Sequence, residues 1–321
     1  TAFIENTMTH KIIIDTDPGI DDAMAIFFAF QSPEIEVLGL TTVYGNIPVS
    51  MSARNALTLC DIAGRQDVPV TKGVALPWVG PESDYAHFVH GDDGFGNIDY
   101  PPSTREVDPR SSAEFIVEMA RKHPGEITLV AIGPLGNIAL ALRLEPELPK
   151  LVKGISIMGG AAFVPGNVTP VAEANIWNDA HAADIVFSAD WEVKMFGLDV
   201  TLFAPTDPKF VDILAEKNPV MGGFMQKASQ FYIDFYSQNR DEKVCFFHDA
   251  FPIAHLVKPE LFEFTRGNIR VSTDELNRGQ TVVAEPGTTA SPLWTEAKFV
   301  QAATGVKHDE LFQLFIDTYA L

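Results

Sequence analysis

Four aspartates fall within eight residues in Lys11-Ile-Ile-Ile-Asp15-Thr-Asp17-Pro-Gly-Ile-Asp21-Asp22-Ala23, directly behind three consecutive isoleucines. An apolar run bounded by turn residues reads as a buried strand. Pro18-Gly19 ends it, and Asp21-Asp22 ahead of Ala-Met-Ala-Ile-Phe-Phe opens a helix. The unit is strand, acidic loop, helix, and in an open α/β sheet that edge binds ligands. Two unit charges about 5 Å apart repel by roughly 3 kcal/mol at an effective dielectric of 20. Asp21 and Asp22 alone are explained equally well as helix caps, because carboxylates there favour the orphan amides and the dipole. All four together call for a cation, and a divalent metal is the better reading.

Apolar runs alternate with amphipathic stretches along most of the chain, the pattern of an α/β fold. Further strands are expected at 36–43, 68–71, 127–132, 155–158 and 193–199. Helices are expected at about 21–31, from Pro48, and at 112–122, 180–188, 207–238 and 308–319. Asn277-Arg278-Gly279 between two β-rich runs suggests a hairpin, and 298–302 a last strand. Residues 73–108 and 163–179 show no periodicity, and long loops in a compact domain are usually functional or mobile. No linker or repeat divides the chain. The expectation is one α/β domain over residues 1–321, with an open, mostly parallel, Rossmann-like sheet flanked by helices and the active site at the strand C-termini. Residues 1–10 read as a disordered or added leader.

A net charge of −20 argues against nucleic acid or an anionic membrane as partner. No apolar stretch has the length of a membrane span, and the first residues lack the pattern of a signal peptide. Cys60 and Cys245 are too few for a disulfide framework, so a cytoplasmic protein is expected.

The polar groups at the expected strand ends are almost all oxygen acids and amides, without cysteine and histidine at zinc spacing. Hard oxygen donors point to Ca²⁺ or Mg²⁺, and a mixed set of carboxylates, carbonyl and hydroxyls suits Ca²⁺ better. The stretch Asp15–Ala23 resembles the N-terminal signature of the inosine-uridine preferring nucleoside hydrolase family. The likeness continues through Val43-Tyr-Gly-Asn46, His90-Gly-Asp-Asp-Gly-Phe-Gly-Asn97 and Ala131-Ile-Gly-Pro-Leu-Gly-Asn-Ile138. Ile157-Met-Gly-Gly-Ala161, Gly166-Asn167, Ala172-Glu-Ala-Asn-Ile176 and His248-Asp249-Ala250 complete it in the same order.

The resemblance implies Ca²⁺-dependent hydrolysis of the N-glycosidic bond of ribonucleosides by a homodimer or homotetramer. It implies metal ligation by Asp17, Asp22, Asp249 and the backbone carbonyl of Ile132. Asp17 would also activate the attacking water, and His248 would protonate the departing base. Asp21, Asn46, Met158, Asn167, Glu173 and Asn175 match the ribose shell, and Tyr232 and Tyr236 match aromatic positions near the base. The loop that holds His87 and His90 is expected to bring one of them toward substrate, His90 ahead of His87, and Asp15 is expected to support the metal loop from behind.

Blander readings stand beside these. Asn46 and Asn137 are turn or cap candidates, with that reading preferred for Asn137. Asn167 is a candidate turn residue, His248 a candidate helix flank, and Tyr232 and Tyr236 candidate core. Phe95, Trp177 and Phe247 depart from the family pattern and are expected to bear on base preference. Two other functions fit parts of the chain: a phosphatase of haloacid-dehalogenase type, because Asp15-Thr-Asp17 mimics its nucleophile pair, and a nucleoside-binding protein without turnover.

Overall fold

The structure, a computed structural model, describes residues 9–321. One ten-stranded sheet runs through it in the order β4-β3-β2-β1-β5-β6-β7-β10-β8-β9. The strands are β1 (His10–Thr16), β2 (Ile35–Thr42), β3 (Val70–Lys72), β4 (Asp108–Ser111), β5 (Ile127–Ala131), β6 (Gly154–Met158), β7 (Val193–Phe196), β8 (Phe262–Val271), β9 (Thr281–Ala284) and β10 (Phe299–Val306). From β4 across to β10 every pairing is parallel, and β8 adds antiparallel pairings to β10 and β9.

The isoleucine run is continuous because both faces of β1 are covered. Ile12 and Ile14 pack under helices Ile20–Gln31, Val49–Ile62, Met221–Ser237 and His308–Tyr319, while Ile13 joins the core beneath helices Ser112–Lys122, Gly136–Leu144 and Ala180–Phe187. Burying one such side chain contributes about 1.5–3 kcal/mol, so β1 is anchored from both sides.

Topology places the acidic loop. The chain winds from β1 outward to β4, then returns across the sheet so that β5 pairs with the other side of β1. The sheet therefore reverses its winding between β1 and β5, where Asp15 pairs with Ala131. A crevice opens at such a switch point beyond the strand C-termini.

His10 already belongs to β1, so the expected leader extends too far; its residues 1–8 lie outside the described residues. The 73–108 stretch holds a four-residue helix, His87–His90, and ends in β4. Both are too short to leave a periodic signal. The expected strand at 193–199 stops at Phe196 and turns into a short helix, Leu198–Thr201. The hairpin is present, but a nine-residue connection, 272–280, with its own 3₁₀ turn replaces a tight turn.

Candidate active site

A cavity of about 740 Å³ opens over the switch point. It is lined by Asp21, Asn46, His90, Ile132, Met158, Asn167, Glu173, Asn175, Tyr232, Tyr236, His248 and Asp249. These include all the ribose-side and base-side residues expected from the sequence, gathered from the C-terminal ends of β1, β2, β3, β5 and β6 and the segments after them, from the long helix Met221–Ser237, and from the segment that follows that helix. Asp15, Asp17 and Asp22 do not line it and are buried behind it.

Asp22 is held on both oxygens: Thr16 Oγ1 donates to Oδ1 at 2.6 Å, and Gly19 N and Asn46 Nδ2 donate to Oδ2 at 3.0 and 3.1 Å. The capping reading is thus correct for Asp22, which bonds back to the residue ahead of its helix, and incomplete. Carboxylate oxygens of Asp21, Asp22 and Asp249 lie within 4.8 Å of one another. Asp21, expected only on the ribose side, therefore belongs to the same cluster. Asn46 donates its backbone N–H to Asp17 Oδ2 at 2.6 Å and its Nδ2 to the Asp17 carbonyl at 3.2 Å. Asn46 thus ties Asp17 to Asp22.

Asp17 Oδ1 is buried with no hydrogen-bond partner among the described residues. The backbone crowds Asp17 closely: a Cβ on Gly133 would sit 2.6 Å from Oδ1, and one on Gly45 would strike Oδ2. Burial, then the Asp22 charge, pushes the Asp17 carboxyl well above the usual range. Burial followed by the charges of Asp21, Asp22 and Asp17 does the same to Asp249. Asp21 is pushed up to about 7 by burial and then by Asp22. No lysine or arginine is hydrogen-bonded to any of the four among the described residues. Crowded buried carboxylates, an orphaned oxygen and an all-oxygen donor set fit a hard divalent cation. The described residues thus carry an acidic cluster able to hold a metal.

Asp15 faces away from the cluster. Its Oδ1 accepts from Thr41 Oγ1 at 2.6 Å and Asn137 Nδ2 at 2.8 Å, and burial raises it to about 7. Asn137 also donates to Thr42 O at 2.9 Å and accepts from Val74 N at 2.9 Å. The preferred cap reading of Asn137 is therefore wrong: it is a buried clamp joining the ends of β1 and β2 to the loop after β3.

The far wall is built around Glu173. Its oxygens cap helix Ala174–Asn178, accepting from Asn175 N at 2.9 Å and Ile176 N at 3.2 Å, and Gly160 N adds a bond at 3.0 Å. Burial nonetheless raises its carboxyl to about 7. Asn175 Nδ2 donates to the carbonyls of Ile132 at 3.0 Å and Met158 at 3.1 Å. One lone pair of the expected Ile132 ligand is thus used by protein, leaving the other. Asn167 is exposed on the rim and accepts from Ala174 N at 3.1 Å.

On the base side, His248 Nε2 lies 3.1 Å from the Tyr236 hydroxyl and Nδ1 lies 2.7 Å from Thr201 Oγ1. Burial lowers its imidazole to about 4. Tyr232 is both core and wall: it donates to Phe246 O at 2.6 Å and packs edge-on against Tyr236 at 4.8 Å. His90 Nδ1 accepts from Ile20 N at 3.1 Å, which leaves the proton of the neutral ring on Nε2. Burial, then the nearby His248, lowers it to about 3. His90 therefore also pins the first turn of the acidic helix.

The model of the family described as inosine-uridine preferring nucleoside hydrolase matches residues 12–313. Among curated relatives, the "probable uridine nucleosidase 2" of Arabidopsis thaliana is 41% identical over 96% of both chains. The inosine-uridine preferring nucleoside hydrolase of Leishmania major is 40% identical over 86% of this chain and 88% of its own. A solved plant nucleoside hydrolase, PpNRh1, superposes with a TM-score of 0.93 at 37% identity, covering 97% of this chain and 99% of that one. The chain belongs to the inosine-uridine preferring nucleoside hydrolase family.

As a member it is a hydrolase acting on ribonucleoside N-glycosyl bonds, so the phosphatase and the turnover-free binding protein are set aside. The three departures from the family pattern stand behind the cavity wall, where Phe247 also packs on Tyr232 at 6.1 Å. Phe95 packs on Phe224 at 5.0 Å, and Phe247 packs on Phe210 at 5.7 Å. Trp177 lies under Arg278, and none of the three lines the cavity. The side chains that do shape the base side include Phe88, Val168, Leu202, Phe235 and the polar run Gln238-Asn239-Arg240. Only the place of that run, at the end of the helix carrying Tyr232 and Tyr236, hinted at it in the sequence. Thr201 carried no signal at all.

Proposed function

We propose that this nucleoside hydrolase is Ca²⁺-dependent and releases free base from uridine and inosine. The names of the plant and Leishmania relatives support that substrate pair. The observation that carries the mechanism is the orphaned Asp17 Oδ1, buried at the switch point beside three mutually close carboxylates. Asp17, Asp22, Asp249 and the Ile132 carbonyl would hold the ion, with Asp21 close enough to share it. When bound, Ca²⁺ supplies the charge that offsets these carboxylates, orients the ribose diol and favours ionisation of water.

Asp17 takes the proton of the attacking water on Oδ1, while the Asn46 amide holds Oδ2. Asp21, Asn46, Met158, Asn167, Glu173 and Asn175 surround the ribose. Carboxylates there stabilise the positive charge that grows on the sugar as the bond to the base lengthens. The bonding pair leaves with the base, and His248, charged by a proton taken up at Nε2 from solvent in the cavity, passes that proton to the base and returns to the neutral ring, contributing a factor of about 10²–10⁴. The burial that keeps the resting ring neutral also makes its charged form part readily with that proton. Tyr232, Tyr236 and His90 border the leaving base. The proposed assembly is a homodimer or homotetramer, and Cys60 and Cys245, buried as free thiols, suit a reducing compartment.

The test is base release from a panel of ribonucleosides. Uridine and inosine are expected to be cleaved, and Asp17→Ala to lose nearly all turnover on both. Asp17→Ala within about tenfold of wild type would remove Asp17 from the base role.

A further inference from the structure

A second cavity, of about 490 Å³, opens at the edge of the sheet opposite the active site, where β1, β5, β6 and β7 begin. Its floor breaks the pattern of the sheet. Middle strands of a parallel sheet covered on both faces carry apolar side chains, and farther along this face stand Val130, Met158 and Phe196. Two residues earlier on the same strands, and so on the same face, the cavity is lined by Thr128, Ser156 and Lys194, with Gln301 beside them on β10. Ser156 pairs with Lys194 and Lys194 with Gln301, so these three side chains stand in a row across adjacent strands. Thr128 and Ser156 are buried. Burying polar groups at this depth costs free energy unless something bonds to them.

The surroundings of this floor are basic. His255, in the last turn of helix Phe251–Val257, is 92% buried by its 8% exposure and lines the cavity, and its Nδ1 has no hydrogen-bond partner among the described residues. Lys153 is exposed at the rim, and His10 is half-buried. Neither Lys153 nor Lys194 forms an ion pair among the described residues. The histidines register that charge: burial and then Lys153 lower the His10 imidazole, and burial and then Lys194 lower that of His255. The one carboxylate at the cavity, Glu192, already accepts from Gln301 Nε2 at 2.7 Å and has Arg266 Nε at 3.6 Å. In a chain of net charge −20, whose overall field repels anions, this is a local excess of unpaired positive charge, and such a concave patch draws a small anion.

We propose that this cavity is a second binding site, separate from the catalytic pocket, that takes a phosphate group, either as the free ion or on a small molecule. Two lysines match the charge of a dianion, and lysine binds phosphate as a point charge. The hydroxyls of Thr128 and Ser156 and the ring of His255 offer hydrogen bonds from floor and wall, an arrangement that suits a tetrahedral group better than a planar carboxylate. The cavity is larger than a phosphate ion, and Pro149, Trp191, Leu256 and Pro259 give it an apolar side for the rest of a phosphorylated molecule.

Calorimetry on the whole enzyme tests the site, with inorganic phosphate, phenyl phosphate and acetate as probes. Phosphate is expected to bind once per chain with Kd below about 1 mM, and acetate at least about tenfold more weakly. Lys194→Met and Lys153→Ala should each weaken phosphate by about tenfold, since each removes one of the two charges. Lys153 is exposed, so its variant keeps the test decisive should Lys194→Met fail to fold. Both folded variants should release base at the wild-type rate, because neither residue lines the catalytic pocket. Phenyl phosphate binding tighter than phosphate would identify the ligand as a phosphorylated small molecule, and equal or weaker binding as the free ion. Absence of phosphate binding, affinity unchanged by loss of either lysine, acetate binding as tightly as phosphate, or phosphate acting only as a competitor of the nucleoside would each overturn the proposal.

Discussion

At the scale of single residues, the site is set by which oxygens the protein satisfies and which it leaves open. Asp22 is bonded on both oxygens, and Asp17 and Asp15 are each bonded on one, Asp17 to Asn46 and Asp15 to Thr41 and Asn137. Asn137 makes three hydrogen bonds that fix the ends of β1 and β2; without it Asp15 Oδ1 keeps only Thr41, Thr42 O keeps a long bond from Ser112 Oγ at 3.4 Å, and Val74 N loses its acceptor. Asn137→Ala should therefore cost about 2–4 kcal/mol of stability in urea unfolding. A loss under about 1 kcal/mol would mean water replaces the amide. The aspartate cluster was legible because charge density needs no structure to be noticed. The role of Asn137 was not, since an asparagine after Pro-Leu-Gly looks like a turn residue until the strands beside it are paired.

Among elements, the loops after β1, β2 and β5 close on one carboxylate. Gly45 and Gly133 are needed because their Cα atoms approach the two Asp17 oxygens where a side chain has no room. Gly45→Ala should push Asp17 aside and weaken Ca²⁺ affinity by at least about tenfold in calorimetry; unchanged affinity would place the ion elsewhere. The strands, the long helices and the convergence of loops were readable from periodicity. The helices His87–His90 and Ala174–Asn178 were not, because helices of four or five residues have no period; His90 and Glu173 are held in place by them and by single hydrogen bonds to backbone.

For the whole molecule, the opposite end of the sheet carries its own titrating group. His255 is buried among Phe196, Phe262 and Phe264, with Nδ1 lacking a partner among the described residues. Burial, then Lys194 and His10, lowers its imidazole to about 4. The unfolded chain takes up this proton near pH 6.5 and the folded chain only near 4, so its contribution is intact above 6.5 and falls away as pH drops to 4. Relative to His255→Phe, wild type should lose up to about 3 kcal/mol across that window; parallel pH profiles would contradict it. No helix among the described residues is long and apolar enough to cross a membrane, and the ten-stranded sheet serves chiefly to bring β1 and β5 together at its centre. The reaction depends on the cation at that junction. Base release from uridine and inosine should vanish when the protein is stripped with chelator and return when Ca²⁺ is added back. Undiminished release from the stripped protein, or none with Ca²⁺ restored, would contradict it.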